Sequence, residues 1–146
     1  MWSSRVRVIF ADDGALMRHL FQETFDKNDN LEIAGYAKSA REVIGLFQAR
    51  SPQIVLIDED LLGVPGSEIV RELRTLDAEI AIIGLVSATT KGREEGTEMI
   101  IQGANSYVEK PVITGHPQEA IRLYEESVLP ELIAWGEQLA CVRQDD

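Results

Sequence analysis

Gln53-Ile-Val-Leu-Ile-Asp-Glu-Asp-Leu-Leu-Gly-Val-Pro-Gly66 is the stretch that decides how this chain folds. Its apolar residues run unbroken from Ile54 to Ile57 and stop at a carboxylate, the pattern of a strand buried on both faces that has reached the edge of its sheet. Asp58 therefore stands at a strand's C-terminal end. Two more acids and a turn with Gly63, Pro65 and Gly66 follow, so the chain leaves the sheet through a loop before any helix begins.

Working outward, the same grammar repeats. On the N-terminal side, Arg5–Ala11 is a β-branched run ending in Asp12-Asp13-Gly14, and Leu16, Leu20, Phe21 and Phe25 then recur at helical spacing. A short strand over Leu31–Ala37 follows, and Ser39 with Glu42 has the spacing of a capping box opening a helix that Ser51-Pro52 ends. On the C-terminal side, Ser67 is expected to cap a helix with Val70 and Leu73 inward, and Glu79–Val86 is the next buried strand, ending at Ser87. Lys91–Gly103 contains Gly92 and Gly96 and has no apolar residue before Met99, so its first half is expected to be a poorly specified, mobile helix. Asn105–Glu109 is the last strand, stopped by Lys110-Pro111, and Pro117 opens a final helix.

Strands and helices thus alternate five times, which predicts an α/β fold: an open parallel sheet with helices on both faces. In such a sheet the carboxyl ends of the strands converge on one crevice. Asp12, Asp13, Asp58, Ser87 and Lys110 all stand at such ends.

Composition narrows the function classes. A length of 146 residues suits one domain with at most an extension. A net charge of −11 argues against direct nucleic-acid binding. The single cysteine, Cys141, has no internal disulfide partner and no metal-ligand company, which fits a reducing compartment. No apolar run approaches a membrane span and the N-terminus lacks a signal peptide's apolar core, so a soluble cytoplasmic protein is expected.

Carboxylates crowded into one crevice are relieved by a raised pKa or by a hard cation, and magnesium takes such oxygen ligands together with phosphate. A lysine and a serine hydroxyl opposite can hold phosphate oxygens, and a carboxylate is a competent nucleophile toward phosphorus. Phosphoryl transfer onto Asp58 is the chemistry these parts suit. Singly, each acid reads as well as a turn cap, Ser87 as a turn hydroxyl and Tyr107 as packing. His19 reads as solvent-facing, His116 as a helix-start residue, and Glu59 and Glu109 as solvated.

Together these residues resemble the receiver domain of two-component response regulators. The matches are Asp12-Asp13, Asp58, Gly66 eight residues on, Ser87-Ala88, Tyr107 and Lys110-Pro111, in order and spanning the chain to about Ile113. Asp12-Asp-Gly-Ala-Leu-Met-Arg18 and Val86-Ser-Ala-Thr-Thr-Lys-Gly-Arg93 look most like the receiver of chemotaxis methylesterases, whose esterase domain has no counterpart here.

The resemblance implies a flavodoxin-like (βα)5 sheet of order 2-1-3-4-5, an order for which the family is itself a type example. It also implies a signalling switch, not a turnover enzyme. Asp58 would accept a phosphoryl group from a histidine kinase or phosphotransfer protein, with Lys110 and Ser87 assisting. Mg2+ would be held by Asp13, Asp58 and the backbone carbonyl of Asp60, with Asp12 acting mainly through metal-bound water. Ser87 and Tyr107 would move together as the switch. One departure is Leu61-Leu62, where the family usually has Met-Pro. Two alternatives stay open: a degenerate receiver that binds a partner without phosphorylation, and a phosphohydrolase of the haloacid dehalogenase type, suggested by Ile57-Asp-Glu-Asp60.

The expected division is a receiver domain over 1–128 and a helical extension over 129–146. Ile121, Tyr124, Val128, Leu132, Trp135 and Leu139 form an apolar stripe that Pro130 interrupts. It predicts either a kinked helix folded back on its own domain, or a surface for a homodimer or an output partner, or a linker to an output domain outside this chain, with the Trp135 face buried in an intermolecular contact.

Overall fold

The structure, a computed structural model, describes residues 5–12, 14–25, 28–112 and 115–145. Its strands are β1 (Val6–Ala11), β2 (Leu31–Ala37), β3 (Ile54–Asp58), β4 (Asp60–Leu61), β5 (Val64–Pro65), β6 (Ala81–Val86) and β7 (Ser106–Glu109). The helices are α1 (Ala15–Phe25), α2 (Ala40–Arg50), α3 (Gly66–Leu76), α4 (Thr90–Ile101), α5 (Pro117–Ser127) and α6 (Leu129–Asp145). Five strands form one sheet in the order β2-β1-β3-β6-β7, all pairs parallel. Leaving aside the two short strands β4 and β5, this is the expected order 2-1-3-4-5.

Side chains alternate across the central strands, and both faces are buried. Val8, Phe10, Leu56 and Ile83 join the core under α1, α5 and α6. Ile9, Val55, Ile57 and Ile82 join the core under α2, α3 and α4. That is why β3 reads as an unbroken apolar run: every one of its residues is buried, Asp58 included.

The departure at Leu61-Leu62 has a definite shape. β4 and β5 pair antiparallel, Asp60 with Pro65 and Leu61 with Val64, so a miniature hairpin stands between β3 and α3. Both turn residues have positive φ, 52° at Leu62 and 85° at Gly63, the mark of a type I′ turn. Leu61 points into the core while Leu62 is 64% exposed at the tip, so Leu62 bears left-handed strain with no burial to offset it. Leu62→Asn, matching the Asn-Gly preference of this turn, is expected to stabilise the protein by about 1 kcal/mol. Thermal unfolding would register a rise of about 3 °C.

Helix starts depart in part from the sequence reading. Ser39 caps α2 as expected, accepting from Glu42 N at 3.2 Å. Ser67 does not cap α3: Pro65 occupies that position without a side-chain cap, and Ser67 lies within the first turn. Its N–H and hydroxyl donate instead to the Glu95 carboxylate, at 3.0 and 3.3 Å, tying α3 to α4. The hairpin fixes how the chain enters α3, which moves the cap position back to Pro65.

The C-terminal stripe is interrupted, but not by a kink at Pro130. α5 ends at Ser127, Val128 turns, and Pro130 sits in the first turn of the new helix α6, where its missing N–H is no loss. Leu132 is fully buried in the α1/α5 core, and Trp135 and Leu139 pack against the same cluster. Glu131 accepts from Ser106 Oγ at 2.7 Å and from Trp135 Nε1 at 3.1 Å, and Gly136 lies near Val6 and Leu31. Since Val6, Leu31 and Ser106 begin β1, β2 and β7, α6 runs under the amino ends of the strands, opposite the crevice. The Trp135 side of the stripe folds back onto its own chain.

Candidate functional site

Each candidate residue is carried to the crevice by the strand before it. Asp12 follows β1, Asp58 ends β3, Ser87 follows β6 and Lys110 follows β7. The backbone at these ends is held by the sheet: Asp12 N donates to Ala37 O, Glu59 N to Leu85 O, and Lys110 N to Val86 O at 2.7 Å. Asp13 lies outside the described residues.

Asp12 and Asp58 are both buried, 5% and 7% exposed, and the Lys110 ammonium forms an ion pair with Asp58 Oδ1. Burial lifts the Asp58 carboxyl from its ordinary 3.8 to about 6, against the pull of Lys110; the Asp12 carboxylate adds a smaller push upward. Asp12 also serves its own turn, Oδ1 accepting from Gly14 N at 2.6 Å. The turn-cap reading and the site reading of Asp12 are thus compatible. Asp60 is exposed and opens the hairpin.

Among the described residues, no three His, Cys, Asp or Glu side chains gather as a metal-holding group. The two buried carboxylates of Asp12 and Asp58 are hard oxygen donors at neighbouring strand ends, a donor chemistry that fits a magnesium ion.

Two features were not legible as functional in the sequence. Glu59, read as solvated, is half-buried, and its Oε1 accepts both Ser87 N, at 3.0 Å, and the Ser87 hydroxyl. The glycines of α4, which make that helix poorly specified, are contact residues. A Cβ at Gly92 would stand 2.1 Å from Ser87 O, and one at Gly96 would stand 2.7 Å from the Tyr107 ring. Their spacing of four places both on one helix face, which is the signal that could have revealed them. Thr89 caps α4, accepting from Gly92 N at 3.0 Å, and the same hydroxyl is 3.5 Å from Ser87 Oγ. Ser87, Tyr107 and α4 therefore form one close-packed unit. Glu109, also read as solvated, pairs with Arg93 on the outer side of α4, and His116 accepts from Gln118 N at the start of α5.

The arrangement offers a buried carboxylate with a cation on one oxygen, in an open crevice that Ser87, Lys91 and Glu95 also line. Comparison with known proteins agrees with it. The sequence model described as response regulator receiver domain matches residues 8–122. The protein-glutamate methylesterase/protein-glutamine glutaminase of Clostridium acetobutylicum is 28% identical over 107 residues, 73% of this chain and 31% of that protein. The chain spans between 31% and 39% of the length of such curated relatives. The response regulator domain of Thermotoga maritima CheB superposes with a TM-score of 0.70 at 24% identity, covering 92% of this chain and 95% of that one. The receiver domain of Saccharomyces cerevisiae Ssk1, solved with the histidine phosphotransfer protein Ypd1, superposes at 0.63 with 15% identity, covering 77% and 83%.

Proposed function

The chain belongs to the response regulator receiver domain family of two-component signalling, and from that premise we propose that it is a phosphorylation switch centred on Asp58. The observation that carries the reading is the buried Asp58 carboxylate, ion-paired with Lys110 at the mouth of the parallel sheet.

In the proposed reaction an Asp58 carboxylate oxygen attacks the phosphorus of a phosphohistidine on a kinase or phosphotransfer protein. The new O–P bond forms as the P–N bond breaks, and the departing imidazole nitrogen takes its proton from solvent. Lys110 shifts from the carboxylate to a phosphoryl oxygen as charge moves outward. Asp13, Asp58 and the Asp60 carbonyl would hold Mg2+, with Asp12 acting through water; the chemistry the ion supplies is neutralisation between carboxylates and incoming phosphoryl oxygens. Ser87 and Tyr107 then report the new group, and the readout is a population shift at the α4 and β7 surface. Docking of Ypd1 on the Ssk1 receiver supports a partner of that class for this chain. Methylesterase and glutaminase activities are those of the named relatives. Among the described residues no helix is long and apolar enough to cross a membrane, and a cytoplasmic site of action is part of the proposal.

The test is to incubate the full chain with magnesium and acetyl phosphate and measure intact mass. One phosphoryl adduct, absent in Asp58→Asn, is the expected result. Phosphate release with no adduct would favour a hydrolase, and no reaction would favour a receiver that binds without being phosphorylated.

A further inference from the structure

Ser87 is the residue whose hydroxyl the proposed switch needs, and in this structure that hydroxyl is engaged elsewhere. Both of its donors, the backbone N–H and Oγ–H, go to the single oxygen Oε1 of Glu59. A serine hydroxyl has one proton, so it serves Glu59 or a phosphoryl oxygen on Asp58, not both at once. A bond to an ionised acceptor is also about twice as strong as a neutral one. Glu59 is itself well anchored: its N–H donates to Leu85 O and its carbonyl accepts from Gly66 N at 2.9 Å. The residue next to the phosphoryl acceptor thus reaches sideways and grips the neighbouring strand's end.

We propose that Glu59 is the latch of the switch, a positioning residue that holds Ser87 away from Asp58 until a phosphoryl group arrives; this rests on the reading of Asp58 as acceptor. Two consequences follow from the packing. The incoming group brings anionic charge into a crevice that already contains the Glu59 carboxylate, so repulsion weakens the grip as the phosphoryl oxygens offer Ser87 a replacement acceptor. Release is also transmitted. Gly92 leaves no space between α4 and the Ser87 carbonyl, and Gly96 leaves none between α4 and Tyr107. Displacing Ser87 therefore displaces the start of α4 and unseats Tyr107 in the same movement.

Two substitutions separate the latch from simple charge relief. Glu59→Ala removes the acceptor; Glu59→Gln keeps an acceptor oxygen and removes the charge. In amide spectra of the full chain without phosphodonor, Glu59→Ala is expected to move the Ser87, Gly92 and Tyr107 resonances toward the positions they take in acetyl phosphate-treated wild type. Glu59→Gln is expected to leave Gly92 and Tyr107 near their wild-type positions. The rate of adduct formation with acetyl phosphate is expected to rise roughly tenfold in Glu59→Ala. That gain should vanish when the same change is made in a Ser87→Ala background. An equal gain in that background, or Gly92 and Tyr107 resonances unmoved by Glu59→Ala, overturns the latch. If wild type forms no adduct, the acceptor reading fails, and the spectra of the unphosphorylated variants still decide whether Glu59 holds Ser87.

Discussion

Asp58→Asn is expected to take up no phosphoryl group from acetyl phosphate and, in metal-free buffer at neutral pH, to be more stable than the wild type. The loss is complete because an amide oxygen is too poor a nucleophile to form the acyl phosphate. The gain follows from linkage. Asp58 ionises near 3.8 when unfolded and near 6 when folded, chiefly because it is buried. Between those values the native state binds the extra proton, so stability falls as pH rises. The contribution is fully present below 3.8 and is lost as pH passes through about 6. The two limits differ by up to about 3 kcal/mol, and a neutral isostere escapes that penalty.

Thermal unfolding of both proteins in EDTA from pH 4 to pH 7.5 checks the sign. Their difference should be small at the acid end and grow toward neutrality in favour of the variant. If the proposed reading holds, magnesium would bind the native state through the carboxylate, and the expected result is that it closes the gap by raising the wild-type melting temperature alone. A variant no more stable than wild type at neutral pH would mean that Lys110 fully compensates the buried charge.

Gly92→Ala and Gly45→Ala are expected to change stability in opposite directions, although both are glycine-to-alanine changes inside helices. Alanine normally gains about 1 kcal/mol there, because glycine loses more backbone freedom on folding. Gly45 in α2 has nothing within 4 Å of an added Cβ, so it should show that gain. At Gly92 the same atom would stand 2.1 Å from the Ser87 carbonyl oxygen and 2.9 Å from Ser87 Oγ. The nearest of these is backbone, held by the end of β6, so the helix has to move. A cost of about 3 kcal/mol is expected, as for other forced overpacking. Urea unfolding curves read both directions, with unchanged slopes marking a change in native stability. Gly92→Ala should also disturb the Ser87 and Tyr107 resonances, because α4 can no longer sit against both.

Element identity was legible because each element's hydrophobic period reports its own burial. β3 up to Asp58 and β6 along its length carry no polar side chain because helices cover both faces, and they read that way before any fold is known. The family resemblance supplied the strand order, and the sheet bears it out. The hairpin after β3 was not legible: its turn carries Leu where Asn or another small residue would advertise positive φ. The stripe over α5 and α6 was visible as a stripe, but its Leu132 and Trp135 fold back under the strand starts, and sequence spacing cannot say what a face meets.

The sequence by itself determined which residues stand at strand ends, because an apolar run that stops at Asp12, Asp58 or Ser87, and a strand that Pro111 stops just after Lys110, fix a location from local pattern alone. Only the tertiary structure decided what those ends touch. Glu59 points to Ser87 and not to water because β3 and β6 are neighbours in register, Asp58 beside Leu85. Gly92 and Gly96 become contact surfaces only once α4 lies across Ser87 and Tyr107. Lys110 meets Asp58 across 51 residues of intervening chain, a pairing set by the convergence of strand ends and by nothing local to either residue.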